Sequence, residues 1–369
     1  MTGNSIFDLQ PTELADFLKE QGQPGYRARQ VLRWAYRGAS SYEEMSNLPT
    51  DLRAQLQERL PLCTLAPVQR ALSADGLTRK VLFRLRDGLL VEAVWMGHAA
   101  GKGRWRTTIC ISSQAGCAYG CQFCATGQQG YGRNLTSGEI VEQVVYFLRA
   151  DAGDLPFGQP RAIGEEPLQG ITNVVFMGMG EPFANYRAVR RAVTALNAPW
   201  GLGLGARHIT VSTVGLVPEV RRFAQEPWQA GLAISLHAAN DELRNGLVPV
   251  NRKYPLKELM AACRDYVART HRRVTFEYVL LGGVNDSRQH ARELAGLLSG
   301  LLCHVNLIPV NPTAAGQFRR PLAARIRAFV EEVERYHIPV TLRDTQGVEI
   351  QAGCGQLRAR AEAAATKAP

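Results

Sequence analysis

The chain has 369 residues, of which 46% are hydrophobic and 21% charged, and this composition excludes a disordered or fibrous protein. A formal net charge of +10 at pH 7 favours polyanionic partners without establishing them. The first twenty residues lack both a basic start and an apolar run, so we expect no secretory signal and a cytoplasmic protein. Residues 294–318 carry no Lys, Arg, Asp or Glu, but their prolines and asparagines indicate a buried strand with its flanks and no membrane span.

The first two segments of the chain are predicted to form helices and then a β-hairpin. Residues 1–62 place apolar residues at helical spacing in three stretches, which predicts a small helical domain. Residues 63–104 change to a period of two around a turn at Asp87-Gly88, which predicts a hairpin extension. Basic residues on both segments are candidates for contacts with RNA phosphates, although a charged helix face is as often merely solvated. They are Arg27, Arg29, Arg33 and Arg37 on the helix, and Lys80, Arg84 and Arg86 on one face of the hairpin.

Six apolar, β-rich runs alternate with helical segments over residues 105–345. This rhythm predicts an α/β fold with parallel strands, and six units favour a partial (β/α)6 barrel over a flat doubly wound sheet. Thr136 and Glu139 have the spacing of a capping box, which predicts a helix that begins there. Residues 346–369 are predicted to form a separate C-terminal segment.

Three cysteines follow the first barrel strand in a C-x3-C-x2-C pattern, at Cys117, Cys121 and Cys124. In a cytosolic protein such a group indicates metal binding or thiol chemistry rather than disulfides. Three thiolates can hold three irons of a [4Fe-4S] cluster and leave the fourth iron open for the amino and carboxylate groups of S-adenosylmethionine. The alternatives are three packed core cysteines or a structural zinc site, although zinc prefers four ligands and no close pair completes one here.

With the aromatic Phe123 before its third cysteine, this motif resembles the signature of the radical S-adenosylmethionine superfamily. Further motifs are similar to those of its RlmN family, and the resemblance covers nearly the whole chain. The one departure is Gly353, where a second alanine is expected. The motifs are GMGEP at 178–182, VSTVG at 211–215, SLHA at 235–238, NLIPVNP at 306–312 and AGCGQL at 352–357.

The resemblance implies a methyltransferase that acts on C2 of an adenine in 23S rRNA and in tRNA. Adenine C2 is electron-poor and cannot attack a sulfonium methyl group, so the methyl carbon has to arrive by a radical route. The resemblance assigns Cys354 as the methyl carrier, Cys110 as the thiol that resolves a protein–RNA adduct by forming a disulfide, and Glu92 as the base for the C2 proton. Without the resemblance, the default interpretation of Cys110 is a buried core residue, and that of Glu92 is a surface residue at a sheet edge.

The resemblance also implies where S-adenosylmethionine binds, at the carboxyl ends of the barrel strands. The alternative for each polar residue is a buried side chain that only forms hydrogen bonds to the backbone of a loop. The expected partners are 23S rRNA, tRNA and a reducing electron donor such as flavodoxin or ferredoxin, with no membrane contact, and the chain is expected to be a monomer. The cofactor-binding residues implied are Gly180, Glu181, Ser212, Ser235, Leu236, His237 and Asn311.

Three other functions stay open at this point. A related enzyme type methylates adenine C8 with the same cluster and cysteine pair, so shared motifs do not separate it from the C2 enzyme. A radical enzyme that acts on a small metabolite has no evident need for both Cys110 and Cys354. A non-catalytic electron carrier would normally bind all four irons through protein ligands, whereas this loop offers three.

Overall fold

The computed structural model describes residues 5–99, 105–149, 170–310 and 318–343. The chain divides into two compact units, each made of several segments of the chain. The first comprises residues 1–115, 133–178 and 187–209, and the second comprises residues 116–132, 179–186 and 210–369. No helix in the described ranges combines the length and the apolar character needed to cross a lipid bilayer.

Helices form at the start of the first unit, as the apolar spacing predicts. Their apolar faces pack together, and side chains such as Leu14 and Val31 are fully buried. The third predicted helical stretch is interrupted, because Pro49 lacks the amide hydrogen needed to continue a helix and the helix starts after it. The helices are α1 (Pro11–Glu20), α2 (Arg27–Tyr36) and α3 (Thr50–Arg59).

The predicted hairpin belongs to a larger antiparallel arrangement in the first unit. Its strands are β1 (Ala66–Leu72), β2 (Thr78–Arg84), β3 (Leu90–Ala99) and β4 (Trp105–Cys110). Each strand pairs antiparallel with the next along the chain. The β2–β3 register places Leu82 opposite Glu92, and the β3–β4 register places Val94 opposite Cys110. Because side chains alternate between faces, these four residues share one face of the sheet.

The segment after β4 contains the cysteine loop and the capped helix. Short strands β5 (Gln114–Gly116) and β6 (Tyr131–Asn134) pair with each other, and a single helical turn, α4 (Ala125–Gln128), lies between them. Helix α5 (Ser137–Leu148) begins at the predicted capping box, with the Glu139 amide 3.1 Å from Thr136 Oγ1 and the Thr136 amide 2.9 Å from the Glu139 carboxylate. Strand β7 (Asn173–Phe176) then pairs parallel with β4.

The second unit continues the alternation of strands and helices. Its strands pair side by side in chain order and are all parallel, which confirms the α/β prediction. They are β8 (Ile209–Thr213), β9 (Gly231–Ser235), β10 (Val274–Leu280), β11 (Cys303–Pro309) and β12 (Val340–Leu342). Helix α6 (Tyr186–Asn197), which follows β7, lies almost entirely in the first unit. The helices of the second unit are α7 (Val217–Phe223), α8 (Asp241–Leu247), α9 (Leu256–Thr270), α10 (Arg288–Leu298) and α11 (Ala323–Glu334).

Candidate functional site

The cysteine loop is held in shape at both ends. Gly116 has a φ of +89°, and a Cβ atom there would lie 2.1 Å from the carbonyl oxygen of Gly130, so only glycine fits. The amide of Cys117 donates a hydrogen bond to the same oxygen at 2.8 Å. At the other end, helix α4 starts directly after Cys124. The backbone therefore presents the three cysteines from a defined turn.

The thiols of the loop lie in a poorly hydrated environment. Cys121 is buried, and Cys117 and Cys124 are half-buried. Burial raises the pKa of Cys117 to about 11 and raises the pKa of Cys121 still further, and repulsion from Cys124 adds to both shifts. A bound metal cluster would supply the positive charge that keeps such cysteines deprotonated.

The three cysteines form a donor set for a metal cluster. Thiolates are the ligands that iron–sulfur clusters prefer, and each thiolate binds a different iron. Cys117, Cys121 and Cys124 come from one loop of the second unit. The donor set therefore fits a [4Fe-4S] cluster held at three corners.

Several of the predicted cofactor-binding residues meet at strand ends of the second unit. Ser212 and Ser235, near the ends of β8 and β9, have their hydroxyl oxygens 3.4 Å apart. The buried carboxylate of Glu181 accepts hydrogen bonds from the amides of Phe183 at 2.9 Å and Val214 at 2.8 Å. Burial raises the pKa of Glu181 to about 7, so a cationic ligand group beside it would favour the ionised form.

Gly180, which precedes this glutamate, has a φ of +98°, a left-handed conformation that favours glycine. The turn that carries Glu181 therefore depends on a residue without a side chain. The backbone conformation at this position favours glycine.

His237 contacts the cysteine loop directly. Its φ of +62° is uncommon for a residue with a side chain, and such strained positions concentrate at functional sites. The ring packs edge-on against Phe123 with centroids 4.5 Å apart, and its Nδ1 accepts a hydrogen bond from the Val279 amide at 3.1 Å. Burial, helped by the charge of Arg244, lowers the pKa of His237 to about 3, so the ring is neutral at physiological pH. Leu236, just before it, is fully buried.

Glu92 and Cys110 lie together in the first unit. They are diagonal neighbours on one face of β3 and β4, since Cys110 is opposite Val94. The Glu92 side chain is only 2% exposed, and its Oε2 lies 2.7 Å from Nζ of Lys80. The alternative of a surface glutamate is therefore wrong.

The predicted phosphate contact of Lys80 is also wrong, because its side chain is 0% exposed. Strand β2 is covered on both faces along most of its length, so the basic pattern of the sequence does not form a continuous surface there. Arg84 and Arg86, from the same predicted face, are exposed.

Comparisons with known proteins agree with this arrangement. The model of the Radical SAM superfamily matches residues 111–295, and the model of the ribosomal RNA large subunit methyltransferase N-terminal domain matches residues 4–62. A relative from Desulfitobacterium hafniense, described as a probable dual-specificity RNA methyltransferase RlmN, is 45% identical over 359 residues, 96% of each chain. One of the same description from Chloroflexus aurantiacus is 47% identical over 368 residues, which cover 98% of this chain and 94% of that protein.

This chain belongs to the RlmN family. A crystal structure of a radical SAM methyltransferase from Sphaerobacter thermophilus is also similar, with a TM-score of 0.87, 52% identity and coverage of 96% of this chain and 99% of that one. Membership confirms the family resemblance and the fold class, a radical SAM partial barrel with an N-terminal helical region. It also establishes a [4Fe-4S] cluster and S-adenosylmethionine as the cofactors.

Sequence reasoning missed a buried arginine that fixes the strand ends of this RlmN-family site. Arg244 on α8 is fully buried. It donates hydrogen bonds to the backbone oxygens of Val214 at 2.7 Å, Ser235 at 3.2 Å and Leu236 at 3.0 Å, and to Asn251 Oδ1 at 2.6 Å. These carbonyls belong to the loops that carry the predicted cofactor contacts. Nothing in the local sequence around Arg244 signals this role, because its partners are dispersed along the chain.

Asn285 is a second residue that the sequence did not reveal. Its Nδ2 donates to the carbonyl oxygen of His237 at 2.8 Å, and its Oδ1 accepts from the Leu281 amide at 2.7 Å. It therefore supports the strained backbone of His237. Two residues predicted for the site, Asn311 and Cys354, lie outside the described residues.

Proposed function

We propose that this chain is a radical S-adenosylmethionine methyltransferase that adds a methyl group to C2 of an adenine in 23S rRNA and in tRNA, in the cytoplasm. The observation that carries the proposal is the RlmN family match over nearly the whole chain, including the N-terminal model at residues 4–62. That N-terminal match favours C2 over C8 as the methylated carbon. A flavodoxin or ferredoxin would supply electrons, and the chain would act as a monomer.

In this proposal the second unit holds the cofactors. Cys117, Cys121 and Cys124 would bind three irons of the cluster, which supplies the electron for one-electron cleavage of S-adenosylmethionine. The neutral ring of His237 and the carboxylate of Glu181 suit a ligand that carries a cationic amino group. The remaining contacts would come from Gly180, Ser212, Ser235, Leu236 and Asn311.

The first unit and the C-terminal segment would carry out the thiol and proton chemistry. Cys354, within residues 346–369, would carry the methyl group. Removal of a hydrogen atom from that group by the 5′-deoxyadenosyl radical would leave a carbon radical that adds to adenine C2, and one electron would pass from the adduct back to the cluster. The Cys110 thiolate would then attack the Cys354 sulfur, so that an S–S bond forms, the S–C bond breaks, and the carbon keeps the electron pair and takes up a proton to become the methyl group of the product. An external reductant would restore the two thiols. Glu92 would accept the C2 proton, and its burial beside Cys110 supports this role.

The domains would divide this work, with residues 1–62 and the hairpin of 63–104 facing RNA and the barrel of 105–345 holding the cofactors.

The test of the proposed function is anaerobic methylation of a 23S rRNA fragment by the reconstituted enzyme. We expect 2-methyladenosine from the wild-type chain and none from Cys354→Ala. Methylation at C8, or none by the wild-type enzyme, would reject the proposal.

A basic stripe along α2 and its C-cap residue, Arg37, is expected to bind RNA phosphates. Arg29, Arg33 and Arg37 are exposed and spaced by four residues, so they follow one side of the helix, whereas Arg27 donates to the Asn47 carbonyl oxygen at 2.9 Å. Replacing the three exposed arginines with Gln should weaken RNA binding about tenfold or more and flatten the dependence of log Kd on log salt by about 2. Filter binding at several salt concentrations measures both.

The matched control for the stripe is the triple variant K257Q/R264Q/R269Q. These three cations are also exposed, but they lie on α9 in the second unit. The control should bind RNA with nearly the wild-type affinity and salt slope. Equal losses in both triple variants would show only the effect of net charge and would reject a specific role for α2.

A further inference from the structure

Lys80 is a buried cation that the proposed chemistry has not used. Its side chain is 0% exposed, and its Nζ is 2.7 Å from Oε2 of Glu92. The strand register places Lys80 opposite Val94, so the ion pair runs diagonally between β2 and β3. Removing two charges from water is costly, and apolar residues of similar volume often give equal or greater stability. A buried pair at this position therefore calls for an explanation other than stability.

The surroundings of Glu92 make Lys80 its immediate counter-charge. The backbone oxygen of Glu92 accepts a hydrogen bond from Ser112 Oγ at 2.6 Å, which fixes the strand at that residue. On the same sheet face, the register places Cys110 diagonally across on β4. The other titratable or charged residues on that face of these strands lie farther along. They are Arg84, which pairs with Leu90, and His98 and Arg106, which pair with each other.

We propose that Lys80 is a positioning residue for Glu92, which holds the carboxylate in place and aims it at the C2 proton. This inference rests on the proposed function, in which Glu92 is the base. In the step concerned, the C2–H bond of the adduct breaks and its electron pair stays in the purine ring. The proton forms an O–H bond with the Glu92 carboxylate, and this transfer by itself changes no oxidation state. Lys80 contacts the base and not the RNA.

The test uses the full-length, anaerobically reconstituted enzyme with Lys80→Met. The measured quantity is the amount of 2-methyladenosine formed per S-adenosylmethionine cleaved. This ratio should fall about tenfold or more, because a general base acts only within hydrogen-bond distance of the proton it removes, and methionine cannot hold the Glu92 carboxylate there.

Two further measurements separate positioning from a purely structural role. RNA deuterated at adenine C2 should give a larger primary isotope effect with Lys80→Met than with the wild type, because proton removal has become slow. Lys80→Arg, which keeps the cation, should restore most of the ratio. A Lys80→Met enzyme with the wild-type ratio and isotope effect would overturn the inference, even if its thermal stability were lower.

Two additional variants keep the test decisive. If Lys80→Met does not fold, Lys80→Gln retains a hydrogen-bond donor without the charge and is judged by the same outcomes. Glu92→Gln separates this inference from the proposed function. A fully active Glu92→Gln enzyme would show that Glu92 is not the base. If Glu92→Gln is inactive but the Lys80 variants behave like the wild type, only the role of Lys80 is rejected.

Discussion

Replacement of Cys110 by Ala is expected to trap the enzyme as a covalent complex with its RNA. Without the second thiol, the proposed nucleophile for the Cys354 sulfur would be missing, and the bond between the methyl carbon and the protein would persist. Release of methylated RNA should fall to background, and a slower-migrating protein–RNA band should accumulate on denaturing gels. Nuclease digestion of that band should leave a modified nucleotide on the peptide that contains Cys354.

The matched control for this experiment is Cys303→Ala. Cys303 also lies on a barrel strand, as the first residue of β11, and the proposed mechanism gives it no role. This variant should turn over normally and show no adduct. Normal release of methylated RNA by Cys110→Ala would show that another group resolves the adduct and would remove Cys110 from the mechanism.

Replacement of Cys121 by Ser is expected to abolish the cluster and all chemistry that depends on it. Two thiolates would remain for a site that requires three, and serine oxygen is a harder ligand that suits iron–sulfur clusters less well. Iron content should fall from about four atoms per chain to near zero. S-adenosylmethionine cleavage in the presence of dithionite should be lost with it.

Because the two side chains are similar in size, Cys121→Ser should leave the apolar packing around this residue nearly intact, and far-UV circular dichroism should match the wild type. Cys263→Ser is the control, since Cys263 is also buried but lies on α9. It should retain iron and cleavage activity. A Cys121→Ser chain that keeps its full iron content and cleaves S-adenosylmethionine would contradict the assignment of the loop.

Features that depend on local sequence were the ones that could be predicted. The capping box at Thr136, the six barrel strands and the cysteine motif each follow from neighbouring residues or from a regular period. The last strand, β12, was missed because three residues are too few to show a period. The third helical stretch was predicted without a break because its apolar spacing continues past Pro49.

Features that depend on long-range contacts could not be predicted. A period of two places Lys80 on one face of β2, but it does not show that this face is covered and that Glu92 lies within reach. Arg244 was missed for the same reason, since its carbonyl partners follow two different strands. Buried polar groups need partners, and those partners are found only in the fold.

The most direct measurement is the position of the methyl group in RNA from cells with and without this protein. Mass spectrometry of nucleosides from digested 23S rRNA and tRNA separates 2-methyladenosine from 8-methyladenosine. We predict 2-methyladenosine only when the protein is present, and its loss when Cys354 is replaced by Ala. Methylation at C8, or identical RNA in the two cell lines, would contradict the proposed function.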